Sequence, residues 1–402
     1  MRIGFDVSQT GRSKAGCGYF AESLIRHLAG IDSENEYVLY PTFGDLYWDP
    51  DWSTSTVFIG QPNFYRGLGH KTLEAAQFFW RNPPSDLESQ LGHTEIIHAN
   101  NFFSPGRLQK ARLVYTLHDL AFLEHPEWTT EQNRVGCFGG GFNASLCADL
   151  IFAVSAYTRG HFLETFPHYP VDRVVVIREA SRFSPRPDLV RPTSLPPLRP
   201  DHFWLNVGTL EPRKNHRRLL WAYAKLKEQL RETGPLVLAG GQGWLMGDFE
   251  KALDDLALRQ DVILLGYADD DALQWLYQNC FAFVYPSLFE GFGLPVLEAM
   301  SLSAPVITSN TTSLPQIVGT AGLLVNPLHE GDIFQAMHKL STGQVSREVL
   351  KEMALQRSRA FSWTHTAEAV LQCYKDVAST PKWSTQLGDG KLPVRAKSAV
   401  QC

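Results

Sequence analysis

Two carboxylates, Glu290 and Glu298, bracket a glycine pair, Gly291 and Gly293, and a proline, Pro295. The run Phe289-Glu-Gly-Phe-Gly-Leu-Pro-Val-Leu-Glu-Ala-Met300 follows an apolar stretch that reads as a strand, Ala282–Tyr285, and opens a helical segment over 295–300. Glycines remove the Cβ where a ligand approaches the backbone. Proline suits a first helical turn, where its missing N–H has no partner to lose. The free amides of a helix start, with the positive end of its dipole, make an anion site that Gly291, Phe292, Gly293 and Leu294 would offer to a diphosphate. Glu298 is expected on the first turn, able to accept two hydrogen bonds from a vicinal diol such as a ribose. Glu290 would face another part of the same ligand. The plainer alternative is an ordinary strand–helix turn with Glu298 complementing the helix dipole. Two carboxylates around a glycine pair favour the ligand site.

A second segment, Asn206-Val-Gly-Thr-Leu-Glu-Pro-Arg-Lys-Asn-His216, also lies between a strand and a helix. Arg213 and Lys214 are adjacent cations at a helix start, where positive charge is disfavoured. They make sense if an anion sits there, Arg gripping phosphate bidentately and Lys as a compact charge. On this reading, removing Lys214 leaves the fold intact. The alternative is a solvated surface pair.

The elements that must carry these segments read as α/β. Strand-like runs occur at 2–7, 37–40, 56–59, 96–98, 113–117, 151–154 and 174–177, with a glycine-containing loop over 11–18 and a helix over 19–29. Residues 184–200 hold six prolines and neither continue a helix nor supply ladder donors. The pattern then restarts, with a strand at 203–207, a helix over 215–230 and further strands to 325. The expected layout is an N-terminal Rossmann-like domain over 1–183, a linker over 184–202, a C-terminal Rossmann-like domain over 203–363, and a disordered tail over 381–402.

Bulk properties narrow the class. A length of 402 residues fits two domains. A net charge of −5 argues against a dedicated nucleic-acid binder. The six cysteines form no Cys-x-x-Cys pair, so neither a zinc site nor a disulfide framework is indicated. The first residues read as a strand and no apolar run approaches a membrane span, so a cytoplasmic protein is expected. Phe78, Phe79 and Trp80 beside Arg81 are the candidate for peripheral contact with the inner membrane face.

Glu290 and Glu298, with seven residues between them, form the E-x7-E pattern of retaining GT-B glycosyltransferases. Their surroundings from Pro286 to Met300, and Val207-Gly-Thr-Leu-Glu-Pro-Arg-Lys-Asn215, resemble glycosyltransferase family 4, and the likeness extends to Phe361-Ser-Trp363 and the following helix. The resemblance implies two facing Rossmann-like domains, acceptor binding in the first, nucleotide-sugar binding in the second, and a helix over 364–380 returning to the first. It assigns Gly16 and Gly18 to a loop near the diphosphate, His118 to the donor sugar, Glu290 to donor hydroxyls, Glu298 to the ribose, and Lys214 to the diphosphate. Gly208 and Thr209 join the donor site. Many members carry Arg where Thr209 stands, and Arg213 is the candidate to supply that charge. The implied activity is retaining, metal-independent transfer of a hexose, mannose as the best guess and GDP-mannose as its donor, to a glycan or lipid-linked glycan in cell-surface polysaccharide synthesis. No cofactor is implied.

Other readings are weaker. Asp49-Pro-Asp51 formally matches a D-x-D metal motif, and Asp269-Asp-Asp271 is better explained as a helix start. The early glycines are not in G-x-G-x-x-G order, which weakens an NAD enzyme. A sugar-nucleotide 2-epimerase and a non-catalytic nucleotide-sugar-binding module remain as alternatives.

Overall fold

The computed structural model describes residues 1–12, 14–45, 56–230, 232–243 and 247–383. Asp49, Asp51 and residues 384–402 of the expected tail lie outside them. The chain divides into two compact units. The first holds Met1–His118, Val135–Ile177 and the chain from Ala367; the second holds Asp119–Arg134 and Arg178–Thr366.

The first unit is a seven-stranded sheet built from β1 (Arg2–Asp6), β2 (Glu36–Tyr40), β3 (Phe64–Arg66), β4 (Ile96–Ala99), β5 (Arg112–Leu117), β6 (Leu150–Ala153) and β7 (Val174–Val176). Its order is β3-β2-β1-β4-β5-β6-β7 and every pairing is parallel. The central strands are apolar and buried on both faces, as a parallel sheet covered by helices requires. The first helix, Gly16–Ile31, begins three residues earlier than expected, so Gly16 and Gly18 form its first turn. A Cβ on Gly18 would stand 1.9 Å from the Gln9 carbonyl oxygen, whereas one on Gly16 would meet open space. Gly18 therefore lets the helix start press against the loop after β1.

The last helix, Trp363–Ser379, belongs to the first unit from Ala367 onward. Tyr374 is buried there and its hydroxyl is hydrogen-bonded to His98, whose other ring nitrogen meets the Thr116 hydroxyl at 2.8 Å. Burial pulls the His98 pKa down to about 3, so this ring works as a neutral bridge. The start of the expected tail is also packed. Lys382 Nζ donates to the Leu108 and Ala111 carbonyls, and the Trp383 amide donates to Asp149 at 2.7 Å.

The 78–81 cluster does not form an apolar face. Trp80 is buried and donates to the Thr42 carbonyl at 2.9 Å, Phe79 is half-buried against it, and only Phe78 is strongly exposed, at 71%. Among the described residues no helix is long and apolar enough to cross a membrane.

The second unit has six parallel strands: β8 (Trp204–Val207), β9 (Leu236–Ala239), β10 (Val262–Gly266), β11 (Ala282–Tyr285), β12 (Val306–Ser309) and β13 (Leu323–Val325). Their order is β10-β9-β8-β11-β12-β13, which is a doubly wound sheet. The helix His216–Gln229 buries Leu219, Leu220, Tyr223 and Leu226 in its core, a stripe at helical spacing. Chain direction across the sheet reverses between β8 and β11. The loops leaving the carboxyl ends of those two strands are therefore the place where this topology opens a crevice.

The boundary between units falls after Ile177 and not after 183. Residues 178–183 are tied to the second unit through polar contacts that composition does not announce. Thr366 Oγ1 donates to the Arg178 carbonyl at 2.6 Å, and Ser301 Oγ donates to Ser181 Oγ at 2.7 Å. The proline-rich stretch then runs along the helix Asp270–Asn279, where Gln274 donates to the Ser184 carbonyl at 2.6 Å. Asp269 caps that helix by accepting from the Ala272 amide at 2.9 Å, as its acidic start suggested.

Candidate active site

The switch point of the second sheet collects most of the residues singled out by sequence. The loop after β8 carries Gly208, Thr209, Arg213 and Lys214; the loop after β11 carries Glu290 to Gly293 and leads into the helix Leu294–Ser301. The cations do not sit on the first turn of a long helix. Pro212–Lys214 is a short 3-10 turn, and the helix His216–Gln229 starts after Asn215, which adopts the left-handed conformation.

Lys214 is buried rather than solvent-facing. Its Nζ donates to Glu290 Oε1 at 2.7 Å and to the Tyr285 hydroxyl at 2.6 Å. The Arg213 guanidinium donates to Glu290 Oε2 at 3.1 Å, to the Phe289 carbonyl at 3.1 Å and to Glu211 Oε1 at 2.7 Å. Asp119 lies 4.0 Å from the same guanidinium. The two cations are thus already matched by the carboxylates of Glu211 and Glu290. Lys214 is part of a buried charged network, so its removal is expected to cost stability instead of leaving the fold untouched. The reason is plain in the geometry: Glu290 is buried and depends on it.

Glu290 is the hub. Tyr285 and Ser287 also donate to its Oε1, at 2.9 and 2.6 Å. Burial pushes its pKa up, but Lys214 and Arg213 together overcome this and hold it at about 2. Its backbone is fixed as well, since Ser313 Oγ donates to the Glu290 and Phe292 carbonyls at 2.9 and 2.6 Å. Gly293 then caps the next helix at φ 111°, a left-handed conformation, with Leu314 where a Cβ would point. The Leu294 amide at the head of that helix has no hydrogen-bond partner among the described residues.

Glu298 lies on the second turn of Leu294–Ser301 and not on the first. It is buried, and Tyr277 donates to its Oε2 at 3.2 Å. Arg182 approaches its Oε1 at 3.4 Å. Burial raises the Glu298 pKa, with Arg182 opposing. A third carboxylate, Glu179, is buried in the field of Glu298 and Glu290, and burial first and those charges second push its pKa up to about 8.

Gly208 packs over the Lys214 stem, and its carbonyl oxygen would be 2.0 Å from a Cβ on Gly240. Thr209 brings no charge to this loop, while the Arg213 guanidinium does face Glu290. His118, Gly16 and Gly18 belong to the first unit. His118 stands just past β5, its Nε2 bonded to the Asn100 carbonyl at 2.8 Å and its ring edge-on to Phe20.

Four functional groups escaped the sequence reading: Tyr285, Ser287, Glu211 and Arg182. The first three lie inside or beside the quoted motifs and acquire meaning only through Glu290 and Arg213. Arg182 sits more than a hundred residues from Glu298 in sequence, and no local pattern links them.

The crevice thus gathers two paired cations, a helix-start amide and the buried carboxylate of Glu298. The family model described as Glycosyl transferases group 1 matches residues 196–357. The O-antigen chain mannosyltransferase B of Escherichia coli is 38% identical over 292 residues, covering 70% of this chain and 74% of that protein. Among solved structures, a sucrose-phosphate synthase from Thermosynechococcus elongatus has a TM-score of 0.69 at 20% identity, covering 94% of this chain and 99% of its own. Anabaena Alr3699/HepE in complex with UDP and glucose has a TM-score of 0.67 at 18% identity, covering 94% and 100%. The two parallel-sheet units are those of the GT-B fold.

Proposed function

Because the chain belongs to the group 1 glycosyltransferases, we propose that it moves mannose from a nucleoside diphosphate sugar, GDP-mannose as the first choice, to a hydroxyl of a glycan or lipid-linked glycan in cell-surface polysaccharide synthesis. The observation that carries this reading is the Arg213–Glu290–Lys214 network at the sheet's switch point, next to an open helix amide and a buried Glu298. The sugar rests on the mannosyltransferase named above, which the chain matches over most of both lengths.

In this reading the diphosphate takes a share of both cations when it binds, which releases Glu290 to accept from hydroxyls of the sugar. Arg213, Lys214 and the Leu294 amide then stabilise the charge that grows on the leaving diphosphate, at roughly 3–4 kcal/mol per well-placed donor. Glu298 accepts from the ribose diol. His118 is the candidate for contact with the transferred sugar. Transfer proceeds with retention: the bond to the diphosphate breaks, the acceptor oxygen bonds to the anomeric carbon on the same face, and the departing phosphate oxygen takes the acceptor proton.

Turnover is expected to persist in excess EDTA, because protein cations face the diphosphate. The test is nucleoside diphosphate release from a panel of nucleotide sugars with an oligomannoside acceptor, with and without EDTA. The reading expects GDP-mannose to lead the panel, activity in EDTA to match the control, and an α-linked product by NMR. Activity that dies in EDTA and returns with Mg²⁺ or Mn²⁺ would overturn the charge assignment. Conversion of the donor to another nucleotide sugar without acceptor would make the protein an epimerase.

A further inference from the structure

Glu298 has one oxygen satisfied and one not. Tyr277, on the helix Asp270–Asn279, donates to Oε2. Oε1 is buried without a hydrogen bond, and the charge nearest to it is the Arg182 guanidinium at 3.4 Å. That guanidinium also pairs with Asp270 at 3.4 Å and lies over the Phe183 ring, 4.6 Å from its centroid. Phe183 in turn packs against the Tyr277 ring. Arg182, Phe183, Tyr277 and Glu298 thus form a closed circuit of contacts around one carboxylate.

We propose that Arg182 is the positioning residue that supplies Glu298 with its counter-charge and so keeps its carboxylate ionised for a ligand hydroxyl. This deepens the reading of the Glu298 site as a ribose site and rests on it. The surrounding charges show why the role is needed. Burial disfavours the ionised form of Glu298, and Asp270 adds a like charge. Glu179, from the segment that carries Arg182, is also coupled to it. Against these stand Arg182 and the Tyr277 hydroxyl. A neutral Glu298 loses half its accepting capacity and is a poor partner for a diol. The guanidinium meets Oε1 at ion-pair distance, outside good hydrogen-bond geometry, so it gives that oxygen a counter-charge without donating to it.

The test is calorimetric titration of the wild type, Arg182→Gln and Arg182→Lys with GDP against 2′-deoxy-GDP, and with UDP against 2′-deoxy-UDP, between pH 6.5 and 9. A hydrogen bond to a charged group predicts at least a tenfold preference of the wild type for the ribonucleotide, across the whole range. In Arg182→Gln the preference should shrink at the low end of this range and recover as the pH rises, because burial and Asp270 then raise the Glu298 pKa with only Tyr277 opposing. Arg182→Lys should retain it at neutral pH. A preference that is undiminished at pH 6.5 in Arg182→Gln, or that is lost equally at every pH, overturns the proposal. No preference in the wild type sinks the ribose assignment itself. If Arg182→Gln does not fold, Tyr277→Phe decides. It removes the other donor but leaves Arg182, so the preference should persist at pH 7; its loss there contradicts the role.

Discussion

Lys214→Ala is expected to lower the stability of the second unit by roughly 3–5 kcal/mol, besides abolishing most turnover. Removing one partner of a buried ion pair leaves the other as an uncompensated charge, and the penalty is of that size. Glu290 is that other partner. It is ionised in the folded protein, with its pKa held at about 2, and among the described residues it keeps only Arg213 as a cationic partner once Lys214 is gone. Tyr285 loses a donor as well. For a unit of this size the drop in melting temperature is on the order of 10 °C. The pair Lys214→Ala and Glu290→Gln should cost less together than the sum of the two alone, because the orphaned charge is then absent. A melting temperature unchanged in Lys214→Ala would mean that Lys214 reaches solvent and carries no structural load.

Glu290→Gln is expected to move affinity and turnover in opposite directions. In the free protein Arg213 and Lys214 spend their charge on Glu211 and Glu290. Gln keeps the shape and one acceptor oxygen but removes a negative charge from the place a diphosphate must approach. One charge at about 6 Å in an effective dielectric of about 20 is worth roughly 3 kcal/mol, so nucleoside diphosphate should bind up to about a hundredfold more tightly. Turnover should fall by a hundredfold or more, since the carboxylate proposed to grip the sugar in the transition state is gone. Calorimetry and steady-state release measure the two effects on one preparation. Weaker binding of the diphosphate in Glu290→Gln would show that Glu290 is not its competitor for the cations.

Much of this was legible in the sequence, and the reasons differ by element. Apolar runs such as Ala282–Tyr285 and Leu150–Ala153 are buried strands because only a parallel sheet wants such continuous apolar residues. The Glu290–Glu298 segment was readable because glycine and proline punctuate backbone geometry that no other residue tolerates as well. What sequence could not give was pairing at a distance. Arg213 and Lys214 looked like spare cations because their partner, Glu290, is 76 residues from Lys214. Charge placed by tertiary contact leaves no local period. The same holds for Arg182, which stands in a stretch that looked like the end of the first domain yet is held to the second by Ser181, Thr366 and Glu298. Gly18 is a further case. Besides its expected place in a ligand loop it has a packing reason that sequence does not announce: the Gln9 carbonyl fills the space a side chain would need.

The loops after β8 and β11 are proposed to form a nucleoside diphosphate site. Amide hydrogen exchange of the wild-type protein in EDTA, with and without saturating GDP, tests that assignment most directly. Protection is expected for the amides from Gly291 to Val296 and for those around Thr209 to Lys214, with the open Leu294 amide among the most affected. Protection confined to the first unit, with no change in either loop, would contradict it.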